Sequence, residues 1–138
     1  MGNSYSIRKI NFEDMQKFTK DADCTIINTM PISRQRCLII NTIDASKETA
    51  LINHLIKTNL ERKIVIYGEN ACDEGLVNKY NQLIKLGFSN VHIYPGGMFE
   101  WILLQDIYGD DYFPTTKKNT DILEFKGKPF TERLMIGY

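Results

Sequence analysis

Apolar residues fall along the chain in short blocks of two kinds. Cys24-Thr25-Ile26-Ile27-Asn28, Lys63-Ile64-Val65-Ile66-Tyr67 and Val91-His92-Ile93-Tyr94 are nearly continuous apolar runs bounded by turn residues. Such runs read as strands covered on both faces, as parallel strands are. Between them, apolar residues recur at helical spacing: Phe12, Met15 and Phe18; Leu51, Leu55 and Ile56; Leu76, Tyr80, Leu83 and Ile84; and Met98, Trp101 and Ile102, which with Gln105 begin a fourth helix. Asn11 is a suitable N-cap, with Asp14 in the first turn of a helix expected from Phe12 to about Lys20. Asp44 or Ser46 can cap a second helix from about Lys47 to Thr58. Gly87 ends the third helix, and the fourth stops near Tyr108-Gly109. Ile7 to Ile10 forms a short apolar edge. Residues 29–43 show no period, and Pro31 discourages a helix there. Strands alternating with helices at this spacing predict an α/β domain, a central parallel sheet flanked by helices on both faces.

Composition narrows the function classes. A chain of 138 residues is one domain's worth. Lys plus Arg and Asp plus Glu both number 17, so the formal charge is zero, which argues against nucleic acid as a partner. No run of roughly 18 apolar residues is present, and no leader pattern opens the chain. Cys24, Cys37 and Cys72 lack CxxC spacing and read as reduced thiols of a cytoplasmic protein, not as disulfide or zinc sites. His54 and His92 have no partner at metal spacing, so no metal is expected, and no cofactor. Met1-Gly2-Asn3-Ser4-Tyr5-Ser6 fits the N-myristoylation pattern at Gly2. One acyl chain there would give weak peripheral membrane association, since Arg8 and Lys9 are too few for a polybasic second signal.

The chemistry centres on a polar loop, Gly68-Glu69-Asn70-Ala71-Cys72-Asp73-Glu74-Gly75, that leaves the carboxyl end of the clearest strand. Open α/β sheets bind ligands at that end. Strand 64–67, the loop, a helix ending Leu86-Gly87-Phe88, a strand beginning Asn90-Val91, and Gly96-Gly97-Met98-Phe99-Glu100-Trp101 together resemble the rhodanese-like family; the last segment resembles its Gly-Gly-x-x-x-Trp signature. The resemblance covers roughly residues 7–116. Residues 1–6 then form an N-terminal segment, and 117–138 a tail that packs back or binds a partner, with Lys117, Lys118, Lys126, Lys128 and Arg133 interspersed with Phe125, Phe130, Leu134, Met135 and Ile136.

The resemblance implies a small α/β domain whose loop carries a sulfane sulfur on its first-position cysteine, in a strand-Cys-x-x-Gly-x-Arg pattern. The thiolate is the nucleophile, and loop amides and a cation lower its pKa. Here the first position is Gly68, and the loop holds no Lys or Arg but three carboxylates, Glu69, Asp73 and Glu74. The family's upstream Asp-x-Arg corresponds to Asn28-Thr29-Met30. The loop is also longer, with nineteen steps from Gly68 to Gly87. Phosphatase relatives need a loop Cys first and Arg last, and a P-loop needs Gly-Lys-Ser/Thr; neither pattern is present.

Two functional readings follow. In the first, the chain is a catalytically inactive binding or regulatory module whose loop 68–75 is the recognition surface, its acids suited to a basic protein partner. In the second, it is a divergent sulfurtransferase or thiol-redox enzyme with Cys72 as persulfide-carrying nucleophile, near the helix start but opposed by the adjacent acids. Asp73-Glu74 also admits a metal-binding or acid/base pair, although first-turn carboxylates are ordinary at a helix start. Cys24 and Cys37 are expected as buried packing residues, Met98 and Trp101 as core between helix and sheet, and Gly96 and Gly97 as backbone-turn residues.

Overall fold

A computed structural model describes residues 7–119, 121–129 and 131. Three parallel strands, β1 (Cys24–Asn28), β2 (Lys63–Tyr67) and β3 (Val91–Tyr94), pair in the order β1-β2-β3. Ile27 stands opposite Ile66, and Ile66 opposite Ile93. Single bridges extend the sheet at both edges, Ile26 to Thr42 beyond β1 and Lys9 to Ile93 beyond β3. The apolar edge Ile7 to Ile10 is thus an incipient outer strand.

Alternation along the strands builds two cores. Ile26, Val65 and Tyr67 face α1 (Phe12–Thr19) and α4 (Gly97–Tyr108), packing with Met15, Met98, Trp101, Ile102 and Phe113. Ile27, Ile64, Ile66 and Ile93 face α2 (Ala45–Thr58) and α3 (Gly75–Lys85), packing with Ile52, Leu55, Leu76, Tyr80 and Leu83. Burial on both faces explains why β2 is apolar from Ile64 to Tyr67. Trp101 is fully buried, donates its indole N–H to Pro114 O at 3.1 Å, and meets Phe113 edge-on with centroids 5.0 Å apart.

The helix starts follow local chemistry. Asn11 and Asp14 form a reciprocal capping box: Asp14 N–H donates to Asn11 Oδ1 at 3.0 Å, and Asn11 N–H to Asp14 Oδ2 at 3.3 Å. Asp44 caps α2 by accepting from Ser46 N–H at 2.9 Å, so α2 begins two residues before the expected Lys47. Residues 29–43 hold only the 3-10 turn Ile32–Arg34. Tertiary contacts fix the rest of that stretch: Ile39 N–H donates to the buried Tyr67 hydroxyl at 3.1 Å, and Asn41 sits at φ 67° with its amide on Thr19 O at 2.7 Å.

After α4 the chain turns at Gly109 (φ 104°) and returns alongside residues 38–40. Thr115 bridges Ile39, and Thr116 N–H donates to Leu38 O at 2.8 Å. The segment 121–129 then reaches the loop after β2, with Phe125 inserted into the Trp101 core at 1% exposure. Gly2 and residues 130 and 132–138 lie outside the described residues, and with them the acylation pattern and the end of the tail.

Candidate functional site

The loop 68–75 is held from three sides. From the front, the start of α4 grips its backbone: Met98 N–H donates to Gly68 O at 3.0 Å and Phe99 N–H to Glu69 O at 2.8 Å. Gly97 makes this approach possible, with φ +63° and a position where a Cβ would stand 2.5 Å from Gly68 O. This is the close approach expected of the Gly-Gly pair. Gly96 differs: its φ of −59° is helical, and there the Glu100 side chain fills the space a Cβ would take. Glu100 in turn accepts from the Tyr94 hydroxyl at 2.5 Å.

Within the loop, the Asp73 carboxylate turns inward. Its Oδ1 accepts from Gly75 N–H at 2.8 Å, and its Oδ2 from Glu69 N–H at 3.3 Å and the Thr29 hydroxyl at 3.1 Å. A Cβ on Gly68 would lie 2.0 Å from Asp73 Oδ2 and 2.8 Å from Thr29 Oγ1. Asp73 therefore fills the space a side chain at position 68 would need, and it satisfies loop amides that would otherwise be open to an external anion. Asn28 acts similarly at the end of the neighbouring β1, where its buried side chain accepts from Met30 N–H at 3.0 Å.

From the side comes Arg34, on the 3-10 turn just beyond β1. Its guanidinium donates twice to Glu69 Oε1, at 2.8 and 3.3 Å, and once to Glu124 O at 2.9 Å, and lies 5.1 Å from the centre of the Phe125 ring. The hydrogen-bonded Glu69 raises the Arg34 pKa above its ordinary value, against a lowering by burial. Glu124 also pairs with Arg36 at 3.2 Å.

The sequence expectation of three acids projecting toward a basic partner is corrected here. Glu69 is neutralised by Arg34, Asp73 is turned into the loop, and Glu74 is the exposed one of the three. The loop's lack of cations is made good from outside it. Lys126 and Lys128 line a cleft of about 470 Å³ together with Asn70, Cys72 and Glu74. Cys72 is exposed at this cleft, its N–H on Asn70 Oδ1 at 2.8 Å. Sequence reading missed Arg34, and it named Asn70 only as part of the loop and Phe125 only as part of a tail that packs back or binds a partner. A signal for Arg34 existed in its place on the segment that follows β1, at the ligand-binding edge of the sheet.

The remaining candidates are structural. Burial pushes the Cys24 thiol up to about 11 and raises that of Cys37 as well, so neither is a ready nucleophile. His92 bonds Asn90 Oδ1 at 2.8 Å, and burial lowers its pKa. Among the described residues no group of three His, Cys, Asp or Glu could hold a metal, and no helix is long and apolar enough to cross a membrane.

A parallel sheet with helices on both faces, a structured loop at the carboxyl end of its central strand and a Gly-Gly turn gripping that loop define a class of α/β domain. The chain belongs to the rhodanese-like domain family, whose model matches residues 13–104. No curated protein matches its sequence. Among solved structures it is similar to the Alr3790 protein from Anabaena sp., with 19% identity, TM-score 0.57, and 93% of this chain and 90% of that one covered. It is also similar to the single-domain sulfurtransferase RDL2 of Saccharomyces cerevisiae, at 14% identity, TM-score 0.54, and 82% and 100% coverage. The As-Sb reductase from Leishmania major follows, at 19% identity, TM-score 0.53, and 76% and 81% coverage.

Proposed function

We propose that this chain is a rhodanese-like binding module without sulfurtransferase chemistry, with domain residues 7–116 presenting loop 68–75 as the recognition surface. The observation that carries this reading is the Asp73 carboxylate, which stands within 2.0 Å of where a Cβ at position 68 would be. The loop amides that would stabilise a sulfur-bearing thiolate are engaged by an internal anion instead. A thiosulfate:cyanide assay on the purified chain is expected to show no turnover above the buffer rate. Robust turnover that disappears in Cys72→Ser would overturn this reading.

That outcome would instead establish the second reading, a divergent sulfurtransferase or thiol-redox enzyme. Its support is the exposure of Cys72 on a cleft that Lys126 and Lys128 also line, since cations there attract an anionic sulfur donor. Against it stand Asp73 and Glu74, the next two residues.

Weak membrane association through Gly2 is compatible with either reading. Co-expression with an N-myristoyltransferase is expected to add one acyl mass to the chain, and Gly2→Ala to block it. An unmodified wild-type mass would end the tethering proposal.

A further inference from the structure

Residues 121–129 belong to no strand or long helix, yet they meet the recognition loop directly. Asn70 Nδ2 donates to Phe125 O at 2.8 Å, and a Cβ on Gly127 would be 3.5 Å from Cys72 Sγ. Arg34 joins the two segments, binding Glu69 of the loop and the Glu124 carbonyl while its guanidinium faces the Phe125 ring. The strap's own order is legible in its contacts. Glu124 meets Arg34 and Arg36, Phe125 is buried in the core cluster that holds Met30, Cys37 and Trp101, and Lys126 and Lys128 line the cleft at the loop.

The internal bonding of the strap is local, with Glu124 N–H on Asp121 O at 3.2 Å and Lys126 N–H on Leu123 O at 3.1 Å. One buried ring and a few polar bonds therefore anchor it. Segments attached in this way open at a lower free energy than the sheet they cover.

We propose that the strap is an intramolecular occupant of a peptide-binding groove, and that a protein partner docks by displacing it with a segment of the same order: an acid, an aromatic ring, then lysines. The groove's complementarity to that order is displayed by its present occupant. Arg34 and Arg36 receive the acid, the core cluster beneath the Arg34 guanidinium receives the ring, and exposed Glu74 lines the same cleft as the lysines. The inference rests on the loop being a recognition surface, and it adds the class of partner and the competitor already in place.

The test uses the full chain and a fluorescein-labelled peptide matching Asp121 to Pro129. Phe125→Ala removes the ring, and Glu124→Lys sets a lysine against Arg34 and Arg36 without emptying the core. Peptide binding by fluorescence anisotropy is expected to be about tenfold or more tighter for either variant than for wild type, where the cis strap competes at high effective concentration. A peptide carrying Ala in place of the phenylalanine should bind neither variant, and amide exchange at residues 68–75 should quicken in both. Equal, weak peptide binding by wild type and by Glu124→Lys overturns the proposal, even if Phe125→Ala fails to fold. A concentration-dependent dimer of Glu124→Lys that the peptide cannot dissolve assigns the groove to a second copy, and also overturns it. Sulfurtransferase turnover would instead strike the binding-module reading, and peptide binding is scored independently of it.

Discussion

Gly68 and Asp73 are coupled because they compete for one volume. A thiol placed at 68 would put its Cβ 2.0 Å from Asp73 Oδ2, so Gly68→Cys forces the carboxylate off its three donors. Overpacking of this kind typically costs about 1–3 kcal/mol, and displacing a cap-like carboxylate about 1 kcal/mol. We expect Gly68→Cys to lower the urea midpoint and to give no sulfurtransferase activity. The thiol would sit against a carboxylate that raises its pKa. Asp73→Gly in the same chain should recover some of the lost stability, with a coupling of about 0.5 kcal/mol or more in a double-mutant cycle. Additive effects of the two changes would refute the steric account. The absence of a thiol at 68 was legible in the sequence. The inward turn of Asp73 was not: α3 begins at Gly75 with Glu74 as its N-cap, so Asp73 and Glu74 precede the first turn expected for them, and an acid there has the same spacing whether it points at solvent or back at the amides of its own loop.

Among the elements, the three strands were legible to the residue, since each is a nearly continuous apolar run bounded by turn residues. Helix starts were legible wherever a side chain caps them. The Asn11–Asp14 box is an example, and Asn11→Ala should cost about 1 kcal/mol in a denaturant titration. Residues 29–43 were opaque because their conformation is imposed from outside, by Tyr67, Thr19 and the returning chain at Thr115–Thr116. The grip of α4 on the loop lay between these cases. The sequence marked Gly96-Gly97 as a special turn, but only the fold shows which glycine is indispensable. Gly97→Ala combines a left-handed φ, which alone costs about 1–2 kcal/mol, with a Cβ pressed on the Gly68 carbonyl. Gly96→Ala also meets a neighbour, the Glu100 side chain with its Cβ at 2.8 Å, but at an ordinary helical φ. Gly97→Ala should therefore be the more destabilising of the two by thermal melting, and it should quicken amide exchange at residues 68–75. Equal effects would count against the backbone contact as the cause.

For the whole molecule, buried acids that stay neutral tie stability to alkaline pH. Burial is the largest cause of the raised pKa values of Cys24, Cys37, Tyr67 and Tyr94, with the Cys24 thiol at about 11. An acid whose folded pKa exceeds its unfolded value keeps its proton longer in the native state. Its contribution is fully present below the unfolded pKa and is lost as pH rises toward the folded one. The two thiols should begin to erode stability above about pH 9, and the two tyrosines should steepen the loss above about pH 10. Tyr67 is the most telling probe. Its hydroxyl is fully buried between Thr42 Oγ1 and Ile39 N–H, bonds that lower its pKa but are outweighed by burial. Tyr67→Phe gives up these hydrogen bonds, at about 1 kcal/mol near neutral pH, but removes one titrating group from the core. Urea midpoints measured from pH 8 to 10.5 should therefore start lower for Tyr67→Phe and fall less steeply than for wild type. Parallel curves would show that Tyr67 ionises as readily in the fold as in the unfolded chain, and the burial argument would fail.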